Sequence, residues 1–240
     1  MHIHPVKSSG SPATVLSSFL HFDLCFTIWV LLGALSVYIT KDLGLNDFEK
    51  GLMVAIPTLS GSITRIFLGL LGDRFGSKLV GTCLLVFLFI PLLMGWLLPS
   101  SFPAVICTGL MLGTAGASFA VALPLASHWY PPSQQGLVMG IAAAGNIGTV
   151  ISNYFAPRLA STSGGWHSVM GWSILPLALV LLAFVLMAKE SPTRPQGEPL
   201  GSYLVALKNS NLWWFCLFYS ITFGGFVGLG TFLPTFLNVQ

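Results

Sequence analysis

The stretch from Gly69 to Lys78 reads Gly-Leu-Leu-Gly-Asp-Arg-Phe-Gly-Ser-Lys, and it joins two long apolar runs at residues 51–71 and 79–98. Each run is long enough to cross a bilayer as a helix, because about 30 Å of hydrocarbon takes about 20 residues. The glycines of the stretch permit tight helix ends and a sharp turn, and its acidic and basic side chains place charge at that turn. The stretch therefore predicts two membrane helices joined by a short charged turn.

The composition of the whole chain agrees with this prediction. Of 240 residues, 54% are apolar and only 7% are charged, whereas a soluble globular protein has about 25% charged residues. So few charges cannot keep the surface of a soluble enzyme polar, and a net charge of +3 is too small for nucleic-acid binding. We therefore expect an all-α integral membrane protein in a lipid bilayer. No cysteine has a partner at metal-ligand spacing, so no metal or cofactor is expected.

Seven apolar stretches are long enough to span a membrane, and only the connection before the seventh is long and rich in Pro and Gly. We expect a tail over residues 1–18, a six-helix bundle over 19–188, a linker over 189–211 and a seventh helix over 212–240 that begins an incomplete second bundle. The alternative is a complete seven-helix protein. The predicted spans are residues 19–39, 51–71, 79–98, 102–125, 137–159, 169–188 and 212–237.

The distribution of basic residues predicts the orientation. The tail and the second, fourth and sixth loops hold six Lys and Arg residues, and the other three loops, with Arg158 at the end of the fifth span, hold three. Because basic residues are enriched on the cytoplasmic side, we expect a cytoplasmic N-terminus and a cytoplasmic linker in a multi-pass protein of the inner (plasma) membrane.

Arg65 is the most informative single residue, because it lies well inside the second predicted span. An arginine at a helix centre costs roughly 2.5–3.5 kcal/mol to insert, so it is expected to face the bundle interior or a cavity. Its planar guanidinium suits a planar oxyanion, which it can bind through two parallel hydrogen bonds. The alternative is a structural ion pair, for which Asp23 in the first span is the only candidate carboxylate.

Small and polar residues form a second cluster in the fifth span, where Gly145, Asn146 and Gly148 follow three alanines. Small residues let helices pack backbone to backbone, which accounts for the glycines. A buried amide needs partners, and Asn146 can support either a ligand or a neighbouring helix.

Aromatic residues recur at helical spacing in the seventh span, at Tyr219, Phe223 and Phe226, and Phe119 lies among small residues of the fourth span. By themselves such stripes favour core packing over a binding wall.

These motifs resemble a known family. The run from Gly69 to Lys78 is similar to the GxxxDRxGxK/R signature between helices two and three of the major facilitator superfamily. Residues 140–149 and the continuation Asn153-Tyr154-Phe155-Ala156-Pro157-Arg158 resemble the nitrate signature region of the nitrate/nitrite porter family. Ala143 and Ala144 depart from it, because glycines often stand there.

The resemblance implies a fold and a site. The fold is a major facilitator-type N-terminal six-helix bundle plus the seventh transmembrane helix, in a carrier of two such bundles. The resemblance also implies that the helices after the seventh are missing and that this N-terminal fragment cannot transport alone. It assigns anion binding to Arg65, Phe119, Gly145, Asn146, Gly148, Tyr219 and Phe223, and a conformational latch to Gly69, Asp73, Arg74, Gly76 and Lys78.

The function implied by the resemblance is transport of nitrate and nitrite by alternating access, with a coupling proton left open. Only Asp23 and His21 are available in the spans to carry such a proton. The alternatives are a carrier for another small anion or an organic acid, and a non-transporting membrane sensor. An intramembrane enzyme is not expected, because the spans lack a nucleophile with a base or a metal-ligand motif.

Overall fold

The computed structural model describes residues 10–98, 101–162, 164–192, 194, 197 and 200–239. Residues 1–9 of the predicted tail, parts of the linker including Glu198, and Gln240 lie outside this part of the chain. The regular structure of the described residues is helical throughout. In chain order the α-helices are α1 (Pro12–Trp29), α2 (Leu31–Ala34), α3 (Ser36–Leu43), α4 (Asp47–Phe75), α5 (Ser77–Leu97), α6 (Phe102–Gly113), α7 (Phe119–Ser127), α8 (Pro132–Ala143), α9 (Gly148–Thr162), α10 (Trp166–Met187), α11 (Leu200–Ala206) and α12 (Ser210–Val239).

The first predicted span is helical but begins earlier than residue 19. Ser11 caps α1 by accepting a hydrogen bond from the Thr14 backbone N–H at 3.3 Å, and Pro12 suits the first helical turn because its missing N–H would be unpaired there anyway. Breaks at Val30 and Leu35 separate α1, α2 and α3. Helical hydrogen bonds still bridge both breaks, since the Val30 carbonyl accepts from Ala34 at 2.9 Å and the Leu35 carbonyl from Ile39 at 3.0 Å.

Six helices among the described residues are long and apolar enough to cross a membrane. The broken first region is not among them, which is where the structure differs from the seven stretches predicted. Two of the six contain short 3₁₀ turns, η1 (Thr114–Ala117) between α6 and α7, and η2 (Ala144–Ile147) between α8 and α9. The six are Asp47–Phe75, Ser77–Leu97, Phe102–Ser127, Pro132–Thr162, Trp166–Met187 and Ser210–Phe232.

The first helix lies at the centre of the bundle. Phe22, Phe26 and Ile28 of α1 are fully buried, and α1 packs against α7, α8, α9 and α10. Around it, α5 packs on α10 and α4 packs on α6. The seventh predicted helix, α12, contacts α2, α3 and α9, and most of its apolar surface is exposed. The predicted linker contains one short helix, α11.

Candidate functional site

The helix that carries Arg65 is anchored at its start by a reciprocal cap. The Asn46 side chain accepts from the Glu49 backbone N–H at 2.9 Å, and the Glu49 carboxylate accepts from the Asn46 backbone N–H at 3.0 Å. This capping box satisfies two otherwise unpaired donors. It fixes where α4 begins and therefore which of its residues face the bundle.

A close backbone contact then fixes α4 against the fourth span. A Cβ on Gly61 would lie only 2.7 Å from the Gly113 carbonyl oxygen, so this approach requires glycine. Beside it, the Ser60 hydroxyl donates to the Leu110 carbonyl at 2.6 Å. Because Arg65 follows Gly61 by about one helical turn, its side chain is directed toward η1.

The Arg65 guanidinium makes two hydrogen bonds. Nη2 donates to the Gly116 carbonyl in η1 at 3.0 Å, and Nη1 donates to the Tyr219 hydroxyl at 3.4 Å. Nε is buried and has no partner. A guanidinium has more donors than these two bonds use, so Arg65 retains hydrogen-bonding capacity.

Three aromatic rings surround this guanidinium. Its central carbon lies 5.5 Å from the Phe119 ring centroid and 5.2 Å from that of Phe223. Tyr219 and Phe223 stack at 5.0 Å with an interplanar angle of 12°, and Phe119 lies 6.2 Å from Tyr219. We call these four side chains the Arg65 cage. The structure thus brings together the arginine and the three aromatic residues that the sequence analysis assigned to one site.

The cage has a positive charge without a matching negative one. Among the residues that the structure describes, no carboxylate pairs with Arg65. The alternative ion pair with Asp23 does not form, since the two hydrogen bonds of Arg65 go to Gly116 and Tyr219 and Oδ1 of Asp23 is buried without a partner. A charge in a membrane normally pairs or faces a cavity, so the cage is suited to an anion.

The fifth-span glycines contact α1. A Cβ on Gly145 would lie 2.7 Å from Cδ1 of Phe22, and one on Gly148 would overlap the Asp23 carbonyl oxygen. Both glycines therefore pack against α1, and neither hydrogen-bonds Arg65. Oδ1 of Asn146 is buried without a partner, so this amide retains an unused acceptor.

The predicted latch residues meet the linker. Tyr203 of α11 donates to Oδ2 of Asp73 at 2.9 Å, and the Lys78 backbone N–H donates to Oε1 of Glu190 at 2.5 Å. Gly76 has a φ of 102°, and a Cβ there would lie 2.8 Å from the same Glu190 oxygen. The side chain of Arg74 lies over the Phe75 ring at 5.6 Å.

Gly69 is the latch residue that does not join this group. A Cβ there would approach only Ala120, at 3.9 Å. Gly69 therefore lies beside α7, away from the linker.

A histidine lies near the same charged group, just beyond α7. Partial burial lowers the pKa of His128, and the negative charges of Asp73 and Glu190 offset part of that effect. Since the neutral imidazole is favoured in the folded state, protonation of His128 at low pH opposes the packing at this end of the bundle.

Sequence reasoning missed three contributors to these sites. Gly116 acts through its backbone carbonyl, which no side-chain pattern reveals. Glu190 was assigned only to a linker. Trp29 packs its ring against Gly116, and its position was a usable signal, because it lies in the middle of an apolar run whereas the other tryptophans lie near predicted interfaces.

The sequence and the fold of the chain are both similar to those of known proteins. The chain matches the sequence profile of the Major Facilitator Superfamily over residues 17–240. This chain belongs to the Major Facilitator Superfamily. Its fold is similar to that of a bacterial homologue of the human lysosomal transporter Spinster in an inward-facing and occupied conformation, with a TM-score of 0.63 and 20% identity, covering 93% of this chain and 53% of that one.

The curated relatives agree with the narrower resemblance. The chain is 34% identical to a probable nitrate/nitrite antiporter, NarK1, of Thermus thermophilus over 91% of its own length and 52% of the relative's. It is 35% identical to the nitrite extrusion protein of Bacillus subtilis over 88% of its length and 53% of the relative's. A probable nitrate/nitrite transporter of Mycobacterium tuberculosis is 33% identical, over 89% and 55%.

The chain thus spans about half the length of the curated relatives it matches. The expected superfamily, the nitrate/nitrite porter resemblance and the all-helical membrane fold are confirmed. Membership of this superfamily identifies a multi-pass membrane protein of a transporter family rather than an enzyme.

Proposed function

We propose that this protein transports nitrate and nitrite by alternating access, and that the anion binds Arg65 within the Arg65 cage. The observation that carries the proposal is the guanidinium itself. It lies in a membrane span, has unused donors and has no carboxylate partner among the described residues. A bound monovalent anion would neutralise the charge and accept hydrogen bonds from those donors. These interactions would offset the cost of desolvating both ions.

The shape of the cage favours a flat anion. The three rings lie within 6.5 Å of one another by centroid distance, so they leave flat walls rather than a broad cavity. A guanidinium can bind a planar oxyanion through two parallel hydrogen bonds, whereas a tetrahedral sulfate or phosphate fits such walls poorly. The names of the relatives, which include nitrate and nitrite transporters, support the same substrate class.

The charged end of the bundle supports the alternating-access part of the proposal. Asp73, Gly76 and Lys78 contact the linker through Tyr203 and Glu190. Such contacts can hold one arrangement of two bundles and break in the other. We infer that these residues and Arg74 form a latch on the cytoplasmic side of the inner membrane, and that Gly69 contributes to it from its place beside α7. The count of basic residues predicts the N-terminus on the same side. The second bundle expected in a full-length carrier stays a prediction.

A coupling proton also belongs to the proposal, and Asp23 is its best carrier. The side chain is only partly buried, so a proton can reach it, yet Oδ1 is enclosed without a partner. An ionised carboxylate in that state is costly in a membrane, and a proton removes the cost. His21 is less suited, because its Nε2 donates to the Gly81 carbonyl at 3.3 Å and its ring packs on Phe184 at 4.6 Å.

The test is nitrate binding by the purified chain in lipid nanodiscs, comparing Arg65→Lys with the native protein. Lysine retains the charge and loses the planar fork, so we expect the nitrate Kd to rise by at least about tenfold, which corresponds to about 1.4 kcal/mol. The matched control is Arg158→Lys. Arg158 also lies over an aromatic ring, Tyr154 at 3.7 Å, but it is exposed and remote from the cage, so its replacement should leave the Kd unchanged.

Competition separates the alternatives. Nitrite should displace nitrate, and sulfate should not. Displacement by acetate as effective as that by nitrite would instead identify an organic-acid site. If Arg65→Lys and Arg158→Lys bind nitrate equally well, Arg65 has a structural role and the proposal is wrong.

A further inference from the structure

We infer that Trp29 is the positioning residue for the anion site, because it fixes the backbone carbonyl that orients Arg65. This inference rests on the proposed function of the Arg65 cage and adds a residue to it. Trp29 lies on α1 and acts through Gly116 of η1. It makes no hydrogen bond or ring contact with Arg65, Tyr219 or Phe223.

Two side chains act on Gly116 from different directions. On one side, its carbonyl oxygen accepts from Nη2 of Arg65 at 3.0 Å. On the other, a Cβ on Gly116 would lie 2.5 Å from Cε2 of Trp29 and 2.7 Å from its Nε1. The indole ring therefore lies directly on the backbone of this turn. Any movement of the ring moves the carbonyl that Arg65 binds.

The indole is itself held by a hydrogen bond. Trp29 is 3% exposed, and its Nε1–H donates to the Pro57 carbonyl of α4 at 3.0 Å. A buried indole N–H needs such a partner. Trp29 thus bonds to α4, which carries Arg65, and packs on η1, which carries the acceptor. It fixes the separation that the Arg65–Gly116 hydrogen bond must span.

The neighbouring contacts leave little room for an alternative arrangement. A Cβ on Gly113 would lie 2.6 Å from the Pro57 carbonyl oxygen, and one on Gly61 would lie 3.3 Å from Nε1 of Trp29. The Phe26 ring meets the indole edge-on at a centroid distance of 5.0 Å, and Phe26 also lies 6.4 Å from Phe223 of the cage. Because packed interiors tolerate small changes in volume poorly, the indole is enclosed on several sides.

The orientation of the guanidinium follows from this arrangement. One Nη2 donor is used by the Gly116 carbonyl and one Nη1 donor by the Tyr219 hydroxyl, and the two bonds together orient the group. The remaining donors are then presented among the rings of the cage. If η1 shifted away from α4, the guanidinium would lose its fixed partner and rotate, and it would bind an anion through one hydrogen bond instead of two.

The experiment is a double-mutant cycle on nitrate binding in nanodiscs, with Trp29→Phe, Arg65→Lys and the double variant. Phenylalanine keeps an aromatic ring but lacks the N–H and the full indole width. We expect Trp29→Phe to raise the nitrate Kd by about tenfold, because orientation of a charged group is worth at least that much. In the Arg65→Lys background, which has no fork to orient, the same change should have no further effect.

The cycle distinguishes a positioning role of Trp29 from a purely structural one. If Trp29→Phe weakens nitrate binding equally in both backgrounds, or leaves it unchanged in both, the positioning role is wrong. Trp166→Phe is the matched control, since that buried indole donates to Oδ2 of Asp42 at 3.0 Å away from the cage. It should lower the thermal midpoint without changing the nitrate Kd.

A second variant and a measurement that does not use nitrate also test the inference. Gly116→Ala adds a Cβ at the same contact, 2.5 Å from Cε2 of Trp29, so it displaces η1 without changing the indole. It should reproduce the loss and its dependence on Arg65, even if Trp29→Phe fails to insert. Isotope-edited infrared spectroscopy of the arginine guanidinium needs no anion. The Arg65 band should shift in Trp29→Phe and not in Trp166→Phe. An unshifted band overturns the inference, while a shifted band with no nitrate binding in the native chain overturns only the proposed function.

Discussion

The turns η1 and η2 have much in common and serve different purposes. Both are four-residue 3₁₀ turns rich in Gly and Ala that interrupt a membrane span. The carbonyl of Gly116 in η1 accepts from Arg65, so η1 belongs to the candidate anion site. In η2, Gly145 packs on Phe22 and the Asp23 backbone of α1. The turn η2, which lies in the motif that resembles a nitrate signature, therefore packs against α1. The turn η1, which lies outside that motif, contacts Arg65.

The difference follows from which helix each turn faces. The turn η1 faces α4, whose Gly61 permits close approach and whose Arg65 supplies a long side chain with donors. The turn η2 and the start of α9 face α1, where Thr27 donates to the carbonyls of both Asp23 and Gly148, at 2.9 and 3.1 Å. A turn made of small residues exposes its backbone groups. The neighbouring helix decides whether those groups accept hydrogen bonds from a side chain, as in η1, or pack against another backbone, as in η2.

The largest expected effect is on stability, from Gly148→Ala. The added Cβ would overlap the Asp23 carbonyl oxygen, and a backbone atom cannot move aside as a side chain end can. We expect a loss of at least about 2 kcal/mol of unfolding free energy, measured as a lower thermal midpoint in nanodiscs. Gly140→Ala, which meets nothing within 4 Å, is the control. Equal midpoints for the two variants would contradict the close packing of α9 on α1.

Asp23→Asn should show whether a proton binds at Asp23 together with the anion. Asparagine retains the size and polarity of the side chain but cannot take up a proton. If one proton binds with each anion, the nitrate Kd of the native chain should rise with pH, by up to about tenfold per pH unit. The Kd of the variant should stay flat.

The control for that experiment is Asp42→Asn, which alters the carboxylate bonded to Trp166. It should keep the native pH dependence. A native Kd that does not vary with pH would remove the proton from the proposal and leave the anion site intact.

The smallest effect is expected from thinning one wall of the cage with Phe119→Leu. The Phe119 ring lies 5.5 Å from the guanidinium carbon and would form one flat face against the bound anion. We expect its loss to raise the nitrate Kd by roughly fivefold, which corresponds to about 1 kcal/mol. Phe155→Leu changes an exposed ring that meets the Tyr154 ring edge to face at a centroid distance of 5.0 Å, and it serves as the control. Nitrate titrations in which both variants match the native chain would show that Phe119 is not a wall of the site.

The sequence predicted part of the site because some of its signals are local. Arg65 was recognisable by the cost of its charge in a span, and the aromatic residues by their resemblance to a family. The sequence did not assign Trp29 or the Gly116 carbonyl, because a backbone acceptor has no residue-type signature. It also grouped Gly145, Asn146 and Gly148 with the substrate, which stays a prediction, and it did not reveal that both glycines pack on α1.

The sequence by itself determined that this protein lies in a membrane, that it belongs to a transporter superfamily and that one arginine within a span needs a partner. These conclusions depend on hydropathy and on the cost of burying charge, which act residue by residue. Only the tertiary structure decided which partner each group has: Gly116 and Tyr219 for Arg65, the Gly148 carbonyl for Thr27, and Glu190 for the Lys78 backbone. Such pairings depend on how close two helix backbones come, and that distance is set by packing between residues far apart in the chain.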